Sequence, residues 1–367
     1  MTGKWSREKA WDWYQSRPWI VGCNFIPSTC INVVEIWQEY NFDEVIRVIE
    51  RELAIAAATG INSVRMVLPF FVWKYQRDGF KTRMEQFLVL AHRQNISMLP
   101  VFFDDCGCGP KESFREPRFG PQPDPWPGSH GGGRPASREV QGAPWHLFDD
   151  QGNWGVLEDF VKDMVGTFGQ DERILAWDIW NEPGNSGRRS ASKEAMEAVF
   201  GWAREMRPIQ PLTAGPWEFY GDYFQQHQPG YLSEIEERAV ELSDIFSFHF
   251  YGDLAHTKLL IDAFRVYDRP MLITEWLHRP FGNLVETHLP LFGKERIGCF
   301  HWGLVNGKTQ THEPWDWIRG MDLDFSLWQH DLYLGDGTPY RVEEIHLFQQ
   351  LTGVADSVGG DSSEGRL

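Results

Sequence analysis

Strand-like and helical segments alternate eight times along this 367-residue chain, and this alternation constrains the fold more than any other feature. Buried strands are predicted at 19–25, 61–68, 96–103, 174–182, 209–214, 245–250, 271–276 and 297–302. Helices are predicted between them, at about 43–60, 80–94, 152–169, 191–206, 232–242, 254–267 and 284–293, with a closing helix at 341–351. Eight strand–helix units predict a single parallel (β/α)8 barrel, because the competing doubly wound open sheet usually needs fewer units.

The first long helix illustrates the pattern. Asp43 is predicted to cap its N-terminus and Gly60 to close its C-terminus. Its apolar positions recur every three or four residues, as expected for a helix with one buried face: Val45, Ile46, Ile49, Leu53, Ala56 and Ala57.

The chain is predicted to form one catalytic domain over residues 1–352, followed by a flexible tail at 353–367 that lacks apolar content. Two connections are unusually long. Residues 105–150 contain 8 Gly and 8 Pro in 46 positions, without helical or strand periodicity. Residues 306–340 follow the last strand. Both leave the C-terminal ends of strands, where barrel active sites lie, so we predict that they wall in the rim.

Composition excludes several classes of function. The net charge of −17 disfavours binding to nucleic acid, whose phosphates need a basic surface. No uncharged apolar run of 18 residues is present, so no transmembrane helix is predicted. The chain contains 18 Trp. We expect most of them to pack in the core, but Trp also provides flat apolar surfaces for sugar rings.

The cysteines and the N-terminus indicate a cytoplasmic protein. Five Cys residues without regular spacing predict free thiols rather than disulfides. Cys106 and Cys108 have no nearby His or Cys pair to complete a metal site, and no HExxH motif occurs, so no metal or other cofactor is predicted. The N-terminal segment MTGKWSREKAWDWYQ is polar and helical, unlike a signal peptide.

Polar side chains stand at the C-terminal ends of several predicted strands and would converge on one rim. They are Arg65, Asn181, Glu182, His249, Tyr251, Glu275 and Trp302. A single strand-end glutamate often serves only as an ion-pair partner, here of Arg65. A pair of carboxylates on one rim favours glycoside hydrolysis, which needs one protonated carboxyl group and one ionised carboxylate. Asp178 lies deeper on its strand and is interpreted as a structural partner.

Two motifs resemble the clan A glycoside hydrolases, and family 5 most closely: WDIWNEP at 177–183 and LITEW at 272–276. This resemblance implies that Glu182 is the acid/base and Glu275 the nucleophile. It also implies that Asn181 binds the sugar 2-hydroxyl. The remaining substrate-binding residues implied by the resemblance are Arg65, His249, Tyr251 and Trp302.

One departure from the family pattern concerns the third strand. The family usually places a His at its end, whereas this chain has Asp104 and Asp105 there. We therefore predict that a carboxylate takes over contacts to the outer sugar hydroxyls, and we assign Asp105 to substrate binding. The segments EKAWDWYQSRPWIVGCNFIPS and VNGKTQT resemble the intracellular β-mannosidase subfamily that acts on the N-glycan core disaccharide.

Together these features predict a retaining, exo-acting β-mannosidase. It would remove a terminal β-mannose from short oligosaccharides, including Man-β1,4-GlcNAc, by double displacement. Two alternatives remain open at this point. One is an endo-β-1,4-glucanase, mannanase or xylanase using the same carboxylates. The other is a sugar-binding barrel without turnover, which would retain the Trp surfaces but would not need both glutamates.

Overall fold

The computed structural model describes residues 3–107, 116–132, 145–219 and 232–354. Eight strands lie within these ranges: Val21–Asn24 (β1), Ser63–Val67 (β2), Ser97–Asp104 (β3), Trp177–Asn181 (β4), Leu212–Gly215 (β5), Phe246–His249 (β6), Met271–Trp276 (β7) and Gly298–Trp302 (β8). They form one sheet in the order β5-β4-β3-β2-β1-β8-β7-β6. All seven neighbouring pairs are parallel.

The two outer strands of this order, β5 and β6, come together and almost close the sheet into a ring. The backbone N–H of Asp244 donates to the carbonyl of Leu212 at 2.8 Å, and the N–H of His249 donates to the carbonyl of Pro216 at 2.9 Å. The predicted (β/α)8 TIM barrel is therefore confirmed.

Helices follow the strands around the outside of the barrel. The α-helices of at least five residues in the described ranges are Arg7–Gln15, Val33–Trp37, Phe42–Thr59, Phe70–Arg93, Trp154–Phe168, Lys193–Glu205, Glu234–Leu242, Leu254–Phe264, Val285–Glu295 and Val342–Thr352. Shorter helical turns occupy Ser129–Gly132 and Trp145–Phe148. Within the described parts of the chain, no helix combines the length and apolar character needed to cross a membrane.

The helix Phe42–Thr59 begins two residues earlier than its sequence suggests. Its N-cap is Asn41, in the left-handed conformation with φ 60°, and Asp43 lies inside the first turn. The prediction that Asp43 is the cap was wrong, although its charge still suits the positive end of the helix. Gly60 closes the helix as predicted, with φ 95°, a conformation that favours glycine.

A separate hydrophobic cluster seals the N-terminal end of the barrel. Trp13 and Tyr14 of the first helix pack there with Ile20, Leu272 and Phe300 from the beginnings of strands. Burying an apolar side chain such as Ile20 contributes about 1.5–3 kcal/mol. Because this end is plugged, the C-terminal rim is the end where a substrate can enter.

The two long rim connections are described to different extents. Residues 306–340 lie within the described ranges, whereas of residues 105–150 the structure describes 105–107, 116–132 and 145–150. The predicted tail at 353–367 falls almost entirely outside the described residues, which end at Val354.

Candidate active site

Arg65, at the middle of β2, is the centre of a buried polar network. Its Nε and Nη2 donate to Asp178 Oδ2 at 3.0 and 2.8 Å. Nη1 donates to Glu275 Oε1 at 3.0 Å and to Asn24 Oδ1 at 2.7 Å. Nη2 also donates to Asn181 Oδ1 at 2.6 Å. One guanidinium thus fixes side chains from β1, β4 and β7.

The ion pairs of Arg65 are almost inaccessible to water. The Arg65 side chain is 3% exposed and that of Asp178 is fully buried. Burial opposes the positive charge, but Asp178 and Glu275 outweigh this effect and raise the pKa of Arg65. Loss of hydration raises the pKa of Asp178 to about 6, and Arg65 opposes part of that rise. Asp178 is therefore a structural partner of Arg65, as predicted from its depth on β4.

Glu182 follows β4 in a strained backbone conformation, with φ 45°. Strain of this kind in a non-glycine residue often occurs at functional sites. Glu182 Oε1 lies 2.8 Å from His249 Nδ1, and Oε2 accepts a hydrogen bond from Asn185 Nδ2 at 2.5 Å. Loss of hydration raises the pKa of Glu182, while contacts with Cys106 and Asn185 oppose part of the rise. These surroundings favour a carboxyl group that keeps its proton.

Glu275, near the end of β7, has surroundings that stabilise negative charge. The Tyr251 hydroxyl donates to Glu275 Oε2 at 2.7 Å. Arg65 Nη1 supports the other oxygen, Oε1, at 3.0 Å. Hydrogen bonds from a cation and a hydroxyl favour an ionised carboxylate. The two glutamates therefore differ in electrostatic surroundings although both are buried.

The two glutamates also lie close together. One oxygen of Glu182, one oxygen of Glu275 and one ring nitrogen of His249 lie within 4.8 Å of one another. A group of this kind offers ligand atoms to a metal ion. However, His249 Nδ1 is already at hydrogen-bond distance from Glu182, and Glu275 accepts from Tyr251 and Arg65. Because these atoms bond to one another and to their neighbours, we assign no metal to the group.

His249 is neutral near pH 7, because burial lowers its pKa to about 3. Its ring fits only because Gly215 of β5 has no side chain. A Cβ atom at Gly215 would lie 2.9 Å from His249 Nε2. Close packing therefore fixes the ring that positions Glu182.

A small pocket, partly open to solvent, lies over this network. Six of the residues that line it are Asn24, Arg65, Asp104, Asn181, Glu275 and Trp302. All seven residues carried over from the family, from Arg65 to Trp302, thus lie in the network or at the pocket.

Asp105 is not brought to this pocket. It is fully buried, and its carboxylate accepts from the backbone N–H of Gly184 at 2.8 Å and from the Ser192 hydroxyl at 2.9 Å. Arg188 Nε forms an ion pair with Asp105 Oδ1 at 3.2 Å. Asp105 therefore holds the segment that follows Glu182, and the substrate-binding role predicted for it is not supported.

Sequence reasoning missed four residues around the glutamates: Asn24, Asp104, Cys106 and Asn185. Strand periodicity could have indicated Asp104. Side chains alternate along a strand, so Asp104 and Asp105 must point to opposite sides and only one of them can face the pocket. Asn24 could also have been indicated, since it ends β1. Cys106 and Asn185 lie on loops, whose course no periodicity reveals.

Residues 116–132 connect two other segments of the rim, and we call this segment the rim wall. Its Gly120 exchanges two hydrogen bonds with the Gln38 side chain, at 2.9 and 2.8 Å. At the other end, Gln310 Nε2 donates to the Trp126 carbonyl at 2.9 Å, and Gln310 Oε1 accepts from the Gly128 N–H at 3.1 Å. The wall therefore spans from the connection after β1 to the connection after β8.

The rim wall also reaches Trp302, one of the residues that line the pocket. The His130 ring stands edge-on to Trp302, with ring centroids 5.0 Å apart. The adjacent Gly131 N–H donates to the carbonyl of Thr309 at 3.0 Å. The described parts of the two long connections thus meet beside Trp302.

Comparisons with known proteins place this geometry in context. No protein-family model and no curated protein sequence matches the chain. Solved structures do match, among them a GH5_18 protein from Streptomyces cattleya in complex with Manβ1-4GlcNAc. That structure is 13% identical with a TM-score of 0.58, and the match covers 95% of this chain and 82% of that one.

Two further structures extend the comparison. The exo-β-1,4-mannosidase from Opitutaceae bacterium strain TAV5 is 16% identical with a TM-score of 0.56, covering 92% of this chain and 60% of that one. The endo-β-1,4-mannanase from Thermotoga petrophila is 11% identical with a TM-score of 0.57. The match covers 96% of this chain and 80% of that one. At these identities the likeness establishes the shared barrel fold.

Proposed function

We propose that this protein is a retaining β-glycosidase, and specifically an exo-acting β-mannosidase. The observation that carries the proposal is the pair Glu182 and Glu275, which bring one oxygen each to within 4.8 Å and have different hydrogen-bond partners. Carboxyl groups about 5–5.5 Å apart serve double displacement, whereas single displacement needs about 6.5–9.5 Å to admit a water molecule. The observed separation favours double displacement.

The surroundings of each carboxyl group assign its role. Glu275, stabilised as an anion by Arg65 and Tyr251, attacks the anomeric carbon, and the glycosidic C–O bond breaks. Glu182, whose pKa is raised by loss of hydration, gives its proton to the departing oxygen. Water then attacks the glycosyl-enzyme as Glu182 takes one of its protons, which releases the sugar and restores Glu275.

The rim wall supports exo action. It is held at one end by Gln38 and at the other by Gln310, and it passes His130 against Trp302. A polymer needs a groove open at both ends, while a terminal sugar needs a pocket with one closed side. The protein would therefore take the non-reducing end of a short oligosaccharide.

The choice of mannose is supported by three of the matching structures. They are an endo-β-1,4-mannanase, an exo-β-1,4-mannosidase and the complex with Manβ1-4GlcNAc. We propose Man-β1,4-GlcNAc and related short β-mannosides as substrates. We further propose a cytoplasmic location, which the four free cysteines of the described residues support.

A panel of 4-nitrophenyl glycosides tests the proposal directly. We expect release of 4-nitrophenol from the β-mannoside and much slower release from the β-glucoside and β-xyloside. Incubation with 2-deoxy-2-fluoro-mannosyl fluoride should label Glu275, as seen by peptide mass mapping. A label on Glu182 would reverse the assigned roles, and labelling only by the gluco analogue would replace mannose by glucose. A sugar-binding barrel without turnover would release nothing from any aryl glycoside.

A further inference from the structure

Asp104 is the last residue of β3 and pairs with Asn181 of β4 across the sheet. Both residues line the pocket, together with Glu275 and Trp302. Asp104 therefore stands where the terminal sugar would lie, one residue before the buried Asp105.

The contacts of Asp104 fix the orientation of Asn181. Asp104 Oδ1 accepts hydrogen bonds from Asn181 Nδ2 at 2.7 Å and from the Cys106 N–H at 2.7 Å. On its other side, Asn181 Oδ1 accepts from Arg65 Nη2 at 2.6 Å. A flipped amide would place its oxygen against a carboxylate and its NH2 group against a guanidinium. Asn181 thus has one stable orientation, with Nδ2 toward Asp104.

A carboxyl group at this position is costly for the fold. Loss of hydration raises the pKa of Asp104 well above its usual value, and the charges of Glu182 and Glu275 add to the rise. An asparagine would accept the same two hydrogen bonds through its side-chain oxygen and would avoid the repulsion. The cost indicates that a carboxyl group is needed for something other than folding.

We propose that Asp104 is a specificity-determining residue that hydrogen-bonds the C3 hydroxyl of the terminal sugar. This inference rests on the proposed function, in which Asn181 holds the neighbouring C2 hydroxyl. Because Asp104 and Asn181 are adjacent at 2.7 Å, the two side chains face two adjacent hydroxyls of one ring. Asp104 thereby performs the task that a strand-three His performs in related barrels.

The test compares wild type and Asp104→Asn on three substrates: 4-nitrophenyl β-mannoside, its 3-deoxy analogue and its 4-deoxy analogue. Leaving a buried polar group without its hydrogen-bond partner costs about 1–3 kcal/mol, which corresponds to roughly 5- to 150-fold. We expect Asp104→Asn to lower kcat/KM by roughly that factor on the parent and 4-deoxy substrates. On the 3-deoxy substrate the loss should be under about threefold, because the bonding partner is already absent.

Equal losses on all three substrates would overturn the proposal and leave Asp104 a purely structural role. A small loss of kcat/KM on the 4-deoxy substrate together with a large loss on the 3-deoxy substrate would also overturn it, since Asp104 would then bind the C4 hydroxyl. Thermal unfolding of the variant controls for folding, and Asp104→Glu provides a second variant that retains the carboxyl group. If wild type hydrolyses only glucosides, mannosidase specificity fails, but the same comparison on 3-deoxy and 4-deoxy glucosides still tests Asp104.

Discussion

At the scale of single residues, the two glutamates of the site differ in the side chains that contact them. Glu182 contacts a neutral imidazole and an amide, whereas Glu275 contacts a guanidinium and a phenol. This difference supports the proposed roles, proton transfer by Glu182 and nucleophilic attack by Glu275.

The first prediction follows from this difference. Glu182→Ala should slow hydrolysis of Man-β1,4-GlcNAc by about 10²–10⁴-fold, because its leaving oxygen needs a proton. With the activated 2,4-dinitrophenyl mannoside, formation of the glycosyl-enzyme should be slowed much less. Added azide should accelerate the slow second step and give a β-mannosyl azide, detected by NMR. In the matched Glu275→Ala variant, neither substrate should turn over. Equal losses on both substrates in Glu182→Ala would contradict the acid role.

The second prediction concerns pH. Loss of hydration raises the pKa of Glu182, so its proton is retained above the usual range for glutamate and is lost as pH rises further. For a substrate with a poor leaving group, kcat/KM should fall as pH rises through the raised pKa. His249 should add no step near pH 6.5, since its pKa is lowered to about 3. In Glu182→Gln, assayed with the dinitrophenyl substrate, the alkaline fall should disappear. Its persistence would assign the fall to another group.

The third prediction tests how Glu275 is aligned. Tyr251→Phe removes the hydroxyl that donates to Glu275 Oε2 at 2.7 Å. We expect kcat to fall roughly 10- to 100-fold with little change in KM. The lost hydrogen bond acts on the carboxylate that attacks the anomeric carbon, so its loss affects the chemical step more than binding. Tyr333→Phe is the control, because it removes a hydroxyl that contacts Thr59 instead. A similar loss of kcat in both variants would indicate a general effect on folding.

The error at Asp105 shows where sequence reasoning stops at the residue scale. The end of β3 was predicted, and a carboxylate was expected to face the sugar. Which of two adjacent aspartates faces the pocket depends on the phase of side-chain alternation where the strand ends. Here β3 extends to Asp104, so Asp104 points inward and Asp105 is buried against Gly184 and Ser192.

At the scale of elements, strands were easier to predict than helix starts. The strand at 271–276 matches β7 in full, because short apolar runs in a parallel sheet are buried on both faces. The helix predicted from about 80 is preceded by a further helical segment, which begins at Phe70 and is separated from it by a kink at Gln76, where φ is −136°. This preceding segment is missing from the prediction. Its first turn, Phe70 to Trp73, is buried all round, so the polar and apolar alternation that marks a helix is absent there.

The fourth prediction concerns the rim wall as an element. Gln310→Ala removes both side-chain hydrogen bonds that hold the wall at Trp126 and Gly128. We expect KM for aryl mannosides to rise several-fold with kcat largely retained, because the pocket beside Trp302 loosens while the glutamates keep their partners. Gln349→Ala provides the control, since it removes a side-chain hydrogen bond to Ala58, outside the rim. An unchanged KM in Gln310→Ala would show that the wall does not shape the pocket.

At the scale of the whole molecule, the plugged bottom of the barrel and the walled rim predict the pattern of products. Mannopentaose with a fluorescent label at its reducing end should lose one mannose at a time, so labelled tetramer, trimer and dimer appear in that order. Capillary electrophoresis over a time course measures this. Internal cleavage would release the labelled dimer early and would quickly lower the viscosity of a mannan solution. Either result would assign the protein to the endo-acting alternatives.

The rim wall has one more consequence, for the order of events in a turnover. With the rim wall beside Trp302, and with Trp13 and Tyr14 packed at the N-terminal end of the barrel, we expect the leaving sugar to block the path by which water reaches the anomeric carbon. The aglycone must depart before hydrolysis can begin, and mannose must depart last. Free mannose should then compete directly with substrate, while the aglycone sugar should intercept the glycosyl-enzyme and regenerate a disaccharide. At high concentrations of such acceptors the protein would run as a transglycosylase through the same opening.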